Sequence, residues 1–87
     1  MNAFNARKLT SMFVKRDDAL VYVSAGSVFR HVGDDDTTET ARIEAVYVDP
    51  SGIPHVRYHV TFHRPNCAPH SEGPRDLALR AFIQNFS

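Results

Sequence analysis

The amino-acid sequence predicts a small, mainly β (small α+β) domain: a strongly bent antiparallel sheet of four to five strands followed by a short C-terminal helix. Between residues 20 and 63, short runs of β-branched and aromatic residues alternate with turn residues, which is typical of strands. Near the C-terminus, four apolar residues follow the i, i+3, i+4, i+7 spacing of a helix with one buried face: Leu79, Phe82, Ile83 and Phe86.

Length and composition are those of one globular domain. The chain has 87 residues, and its apolar content of 43% is ordinary for a globular protein. No apolar run approaches the roughly 18 residues of a membrane helix, and a signal-peptide pattern is absent. Cys67 is the single cysteine, which excludes an internal disulfide. We therefore expect a cytoplasmic protein with no membrane partner.

Charge is balanced over the whole chain but unevenly distributed along it. Residues 1–33 carry five Lys/Arg and two Asp/Glu, residues 34–49 carry one and six, and residues 50–87 carry four and two. A neutral chain lacks the overall positive charge with which proteins neutralise nucleic-acid phosphates, so any such binding would need a local basic patch.

Residues 1–18 are expected to form an N-terminal segment that could be partly disordered, ahead of a single globular domain at residues 19–87. Within the segment, Leu9, Met12 and Phe13 have the spacing of one helical turn. The same residues also fit a first strand, Leu9–Val14, so both interpretations stay open.

The next stretch predicts two strands and a loop. Leu20–Val23 and Ser27–Val32 are the strands, and Gly26 supplies a bend or bulge between them. Gly33–Thr40 is the loop, because its aspartates and threonines favour turns. Its three adjacent aspartates lack the alternate spacing and central glycine of a calcium loop, so we expect a solvated acidic loop.

The clearest prediction is a hairpin of two strands, Ala41–Asp49 and Ile53–His63. Asp49-Pro50-Ser51-Gly52 has the residues of a type I turn, and a four-residue loop would place Val48 opposite Ile53. The resulting register gives an apolar face and a polar face. The predicted opposite pairs are Ile43 with Tyr58, Ala45 with Val56, Tyr47 with Pro54, Glu44 with Arg57, and Arg42 with His59.

The C-terminal part is predicted to begin with a loop, Arg64–Gly73, because prolines and a glycine punctuate it. Asp76 is a candidate N-cap for the helix that follows. Alternatively, Arg75–Leu79 forms a short last strand before a briefer helix. In either case the apolar helical stripe should cover an open side of the sheet.

The polar face of the hairpin is the candidate binding surface. Arginine offers a fork of hydrogen-bond donors, and histidines add positive charge below about pH 6.5, so we expect an anionic or protein partner and a pH-dependent affinity. A solvent-facing side is also normal for an antiparallel sheet. The candidate residues are Arg42, Glu44, His55, Arg57, His59, Thr61 and His63.

The histidines do not predict a metal site. His55, His59 and His63 share a strand face, but four strand residues span roughly 13 Å. Two ligands of one zinc ion lie within about 4 Å of each other. Cys67 and His70 form a lone CxxH pair, which is too little for a metal site or for an activated thiol. We predict no cofactor and no catalytic residue.

The number and spacing of the strands in Leu20–Phe62 resemble SH3-like partly open barrels, the class that includes KOW and Tudor modules. An α+β roll, with the helix across a four-stranded sheet, is the alternative fold. The first hypothesis for the function is a non-catalytic protein-interaction module of SH3-like type. The alternatives are a nucleic-acid-binding module using Arg30, Arg42, Arg57 and Arg64, and a small metal-binding or enzymatic domain; a steep loss of affinity with salt would indicate nucleic acid.

Overall fold

A computed structural model describes residues 7–86. Residues 1–6, the first part of the predicted N-terminal segment, lie outside the described residues. Seven strands precede a single helix in the described chain. The elements are β1 (Arg7–Leu9), β2 (Ser11–Arg16), β3 (Ala19–Ser24), β4 (Val28–Val32), β5 (Thr38–Val48), β6 (Pro54–His63), β7 (His70–Ala78) and α1 (Leu79–Asn85).

The strands form one large and one small antiparallel sheet. The main sheet has the order β1-β5-β6-β7. On the same edge of the long strand β5, β4 pairs with the first half of β5 and β1 pairs with the second half of β5. The small sheet is the β2–β3 hairpin. The fold class is confirmed as mainly β with a short C-terminal helix. However, the main sheet stays open and does not close into a barrel within residues 7–86.

The core lies between one face of the main sheet and a second layer made of α1 and the β2–β3 hairpin. The predicted helical stripe is confirmed, because Leu79, Phe82, Ile83 and Phe86 are all buried. The Phe82 ring makes edge contacts with Phe29 and Tyr58 and stacks on Phe86. This covering layer shields the apolar face of the sheet, so the sheet does not need to curl onto itself.

The N-terminal strands correct one interpretation. Met12 and Phe13 are successive residues of β2, where Met12 packs against the core and Phe13 points to solvent, so the helical turn is wrong. The predicted strand Leu9–Val14 is right only in part, because Leu9 ends β1 in the main sheet and β2 begins at Ser11 in the small sheet. The predicted strands at Leu20–Val23 and Ser27–Val32 are confirmed with small changes of boundary. Gly26 lies between them with φ of +92° and donates its N–H to the carbonyl of Ile43.

The β5–β6 hairpin forms, but its predicted register is only half right. The Gly52 N–H donates to the Asp49 carbonyl, as expected for the turn, while the Asp49 N–H bonds to Ile53 O at 3.0 Å. Gly52 has φ of +84°. The loop is therefore a three-residue type I turn with a left-handed glycine, which pairs Val48 with Pro54 rather than with Ile53.

A β-bulge at Glu44 cancels this shift of one residue. Ala45 lies opposite Arg57, whereas Ile43 lies opposite Tyr58, so Glu44 is the extra residue on β5. The predicted pairs Ile43–Tyr58 and Arg42–His59 are confirmed on one side of the bulge. On the other side the predicted partners of Ala45, Tyr47 and Glu44 are wrong. The bulge turns Val46 and Val48 to the core and places Tyr47 on the polar face.

The last strand replaces part of the predicted loop. Residues 70–73 belong to β7, and β5 likewise begins at Thr38 inside the other predicted loop. Asp76 is not the helix cap, because α1 starts after Ala78; the alternative of a last strand and a brief helix is the right one. Gly73 and Pro74 together lie opposite His59, which makes a second bulge. A Cβ at Gly73 would be 3.0 Å from His59 Nδ1 and φ is +137°, so a residue other than glycine would be strained there.

Candidate functional site

The seven residues predicted as a binding surface project from β5 and β6 on the side of the main sheet that faces away from the core. We call this side the outer face. On β6 its members alternate with buried Val56, Tyr58 and Val60. The outer face includes Arg42 and Glu44 on β5, and His55, Arg57, His59, Thr61 and His63 on β6.

The basic groups of the outer face are partly neutralised by acidic neighbours. Glu44 Oε1 lies 2.6 Å from His59 Nε2. Arg57 donates to both carboxylate oxygens of Asp76, from Nε at 3.1 Å and from Nη2 at 3.4 Å. Hydrogen bonding to Asp76 raises the pKa of the Arg57 guanidinium. Both pairs are exposed to solvent, so each contributes little to the stability of the fold.

Tyr47 joins this face because of the Glu44 bulge. Its hydroxyl donates to Asp76 Oδ1 at 3.1 Å, and its ring stacks on His55 with centroids 5.4 Å apart. Burial raises the pKa of the Tyr47 phenol, and the hydrogen bond to Asp76 raises it further. An open depression of about 580 Å³ lies beside the ring. Its lining residues are Lys8, Glu44, Ala45, Tyr47, Asp49, Pro50 and Arg57.

That depression carries charges of both signs. Lys8 and Arg57 are basic, while Glu44 and Asp49 are acidic. Arg57 already uses its Nε and Nη2 donors on Asp76. The two basic and two acidic lining residues leave the depression without a net positive charge for the recognition of a phosphate.

His55 makes two local contacts near the hairpin turn. The Nδ1 atom of His55 is 2.9 Å from the Ile53 carbonyl oxygen and 3.7 Å from an Asp49 carboxylate oxygen. His63 is exposed at the end of β6. Within residues 7–86, no three His, Cys, Asp or Glu side chains are grouped so that they could hold a metal ion.

Cys67 and His70 line a second depression, of about 390 Å³, beyond the end of β6. Cys67 is a free exposed thiol. His70 stacks on Phe62, and its Nε2 is 3.1 Å from Glu72 Oε2. Arg75 also donates a hydrogen bond to Glu72. Hydrogen bonding to Arg75, and to a smaller extent to His70, lowers the pKa of the Glu72 carboxyl.

The β2–β3 hairpin exposes an apolar surface that the sequence reasoning missed. Phe13 lies opposite Tyr22 with ring centroids 5.2 Å apart, and Lys15 lies opposite Leu20. Phe13, Leu20 and Tyr22 are 61%, 69% and 52% exposed, and we call these three residues the hairpin patch. The signal that could have found it is the alternation in residues 12–15, where Met12 faces the core and Phe13 faces solvent.

Next to the hairpin patch, a groove of about 450 Å³ separates β2 from the beginning of α1. Its walls come from three parts of the chain, and we call it the β2 groove. It is lined by Met12, Phe13, Val14 and Lys15 on β2, by Ile53 and Pro54 after the hairpin turn, and by Ala78, Leu79 and Arg80.

Comparisons with models of protein families, with curated proteins and with solved structures each find no match to this chain. Within residues 7–86, no helix combines the length and the apolar character needed to cross a membrane. Any functional conclusion therefore depends on the surfaces described above.

Proposed function

We propose that the protein is a non-catalytic module that binds another protein through the hairpin patch. The observation that carries the proposal is the exposure of Phe13, Leu20 and Tyr22 together on one face of one hairpin. Contiguous exposed apolar groups are typical of contact surfaces, and aromatic residues in particular are enriched at the centres of interfaces.

The outer face of the main sheet supports this function less well. Its arginine and histidine side chains at positions 57 and 59 already have carboxylate partners at hydrogen-bond distance. A partner that bound these two side chains would have to displace Asp76 and Glu44, which lowers the net gain of binding. The same pairing weakens the nucleic-acid alternative, because Arg57 was one of its four arginines.

The likeness to SH3-type modules enters the proposal as an analogy for the mode of binding. Those modules bind extended segments in grooves lined by aromatic residues, and Phe13 lines the β2 groove here. Because proteins that share one fold can have many different functions, the analogy supports only the mode of binding and not the identity of the partner. A cytoplasmic location belongs to the proposal as well, since a reducing compartment keeps the exposed Cys67 thiol free.

Site-specific photocrosslinking in cells tests the proposal. The photoreactive residue p-benzoylphenylalanine replaces Leu20 in one version and His63 in the other, and both positions are exposed. We expect one discrete protein partner to crosslink at position 20 and not at position 63. Excess unlabelled protein should compete, whereas a Phe13→Ala/Tyr22→Ala variant should not.

The proposal is wrong if the discrete crosslink forms at position 63 and not at position 20. It is equally wrong if the Phe13→Ala/Tyr22→Ala variant competes as well as the unaltered protein, provided that both melt at similar temperatures.

A further inference from the structure

We infer that the partner segment carries carboxylates beside an apolar side chain, and that it docks in the β2 groove with its carboxylates on Lys15 and Arg80. This inference rests on the proposed function and adds the chemistry of the partner. It depends on the shape of the groove, on its apolar walls and on the sign of its charges.

The groove offers a place for one apolar anchor. Phe13 and Ile53, which are 61% and 49% exposed, both belong to its lining, together with buried Leu79. A leucine or aromatic side chain placed there would remove these exposed groups from water. The removal of apolar surface from water favours binding.

The charged groups of the groove are all positive. Lys15 and Arg80 are its ionisable lining residues, and both are exposed. Both also line an adjoining depression of about 160 Å³, which includes Arg16 and Asp17. Three cations and one acidic group therefore surround this end of the molecule.

These cations differ from those of the outer face. Among residues 7–86, no acidic side chain lies within salt-bridge distance of Lys15 or Arg80, whereas Arg57 is held by Asp76. A carboxylate that approaches Lys15 and Arg80 would not have to displace an existing partner. Charge complementarity of this kind speeds association and selects against basic partners.

The acidic loop of a second copy fits the groove less well. Asp34–Asp36 supply carboxylates, but Asp35 already accepts a hydrogen bond from the Thr37 N–H. Hydrogen bonding to the side chain of Thr37, and then to its backbone, lowers the pKa of the Asp35 carboxyl. A separate partner with an acidic and apolar segment is therefore the inferred occupant.

Fluorescence anisotropy with three labelled peptides tests the inference. The first peptide alternates leucine with glutamate, the second replaces its glutamates by lysines, and the third replaces its leucines by serines. We expect the first to bind about tenfold tighter than either of the others, because it alone combines carboxylates for the two exposed cations with leucines that the groove can bury. High salt should reduce this preference.

Charge reversal supplies the decisive variant. Lys15→Glu/Arg80→Glu should bind the lysine peptide in preference to the glutamate peptide, a reversal that unfolding cannot imitate. The matched control Lys8→Glu/Arg42→Glu makes the same change of charge outside the groove and should keep the original preference.

Three results would overturn the inference. Equal binding of the glutamate and lysine peptides, abolished by Phe13→Ala, would refute the acidic partner while leaving the hairpin patch as a binding site. No binding of any peptide would refute the groove as a docking site, and the crosslinking experiment would still decide the proposed function. Self-association in sedimentation experiments that Asp34→Asn/Asp36→Asn abolishes would identify a second copy as the occupant instead.

Discussion

Replacing Phe82 with alanine should strongly lower the free energy of unfolding and the melting temperature of the domain. Phe82 is 0% exposed, and its ring centroid lies 4.9 Å from that of Tyr58, 5.3 Å from that of Phe29 and 4.7 Å from that of Phe86. Removing a buried phenyl ring costs about 3–5 kcal/mol, which includes the cavity that remains. A domain of 87 residues has a free energy of unfolding of roughly 4–13 kcal/mol. The loss is therefore about a third or more of the value in the middle of that range.

Thermal melting followed by circular dichroism measures the effect. In a domain of this size each kcal/mol lowers Tm by about 4–8 °C, so we expect a decrease of at least about 12 °C. Phe13→Ala is the matched control, since the same residue type is 61% exposed and should lose less than about 1 kcal/mol. If the two variants melt at the same temperature, the assignment of α1 as the cover of the core is wrong.

Three further changes test the bulges and the charges. Deletion of Glu44 should be tolerated, because it removes the bulge and keeps every core residue facing inward. Deletion of Arg42 should be destabilising, because it turns the preceding residues of β5 to the wrong face of the sheet. Equal melting temperatures of the two deletion variants would refute the bulge. Gly73→Ala should lower the free energy of unfolding, measured by chemical denaturation, by about 1–3 kcal/mol, because φ is +137° and the new Cβ meets His59. Gly52→Ala should cost less, because at φ +84° its Cβ meets no atom within 4 Å. The opposite order would contradict the close approach of Gly73 to His59. The pKa of Glu72 is lowered in the folded state, so its carboxylate stabilises the fold above its ordinary pKa near 4.5. Glu72→Gln should therefore be less stable than the unaltered protein at pH 7, and the difference should disappear as the pH falls below the folded-state pKa. A difference that persists in acid would exclude the ion pairs as its cause.

The parts of the fold that local residue patterns determine were predictable. The type I turn at Asp49–Gly52 and the buried stripe of α1 follow from residue types at fixed spacing, and both are present. The register was not predictable in full, because three-residue and four-residue loops share the same turn residues. The difference is the left-handed backbone of Gly52, which local sequence permits but does not require.

The candidate site shows the same division. The alternation along β6 correctly placed its polar residues on one face. The partners of those residues were not predictable, because Asp76 reaches Arg57 only through β7, a strand whose beginning reads as a loop. The hairpin patch was missed because the helical spacing of Leu9, Met12 and Phe13 competed with a strand pattern, and pairing with β3 decided between them.

The bulge at Gly73 and Pro74 has a consequence for growth of the sheet into fibres. Proline has no N–H to donate, and a bulge interrupts the regular spacing of donors and acceptors, so a strand of another molecule cannot form a continuous ladder along β7. At the opposite edge, β4 has five regular residues and no proline. Among residues 7–86, β4 is thus a more regular edge for strand addition than β7. Two molecules joined edge to edge through β4 would present blunted β7 strands outward, and such an assembly would stop at a pair.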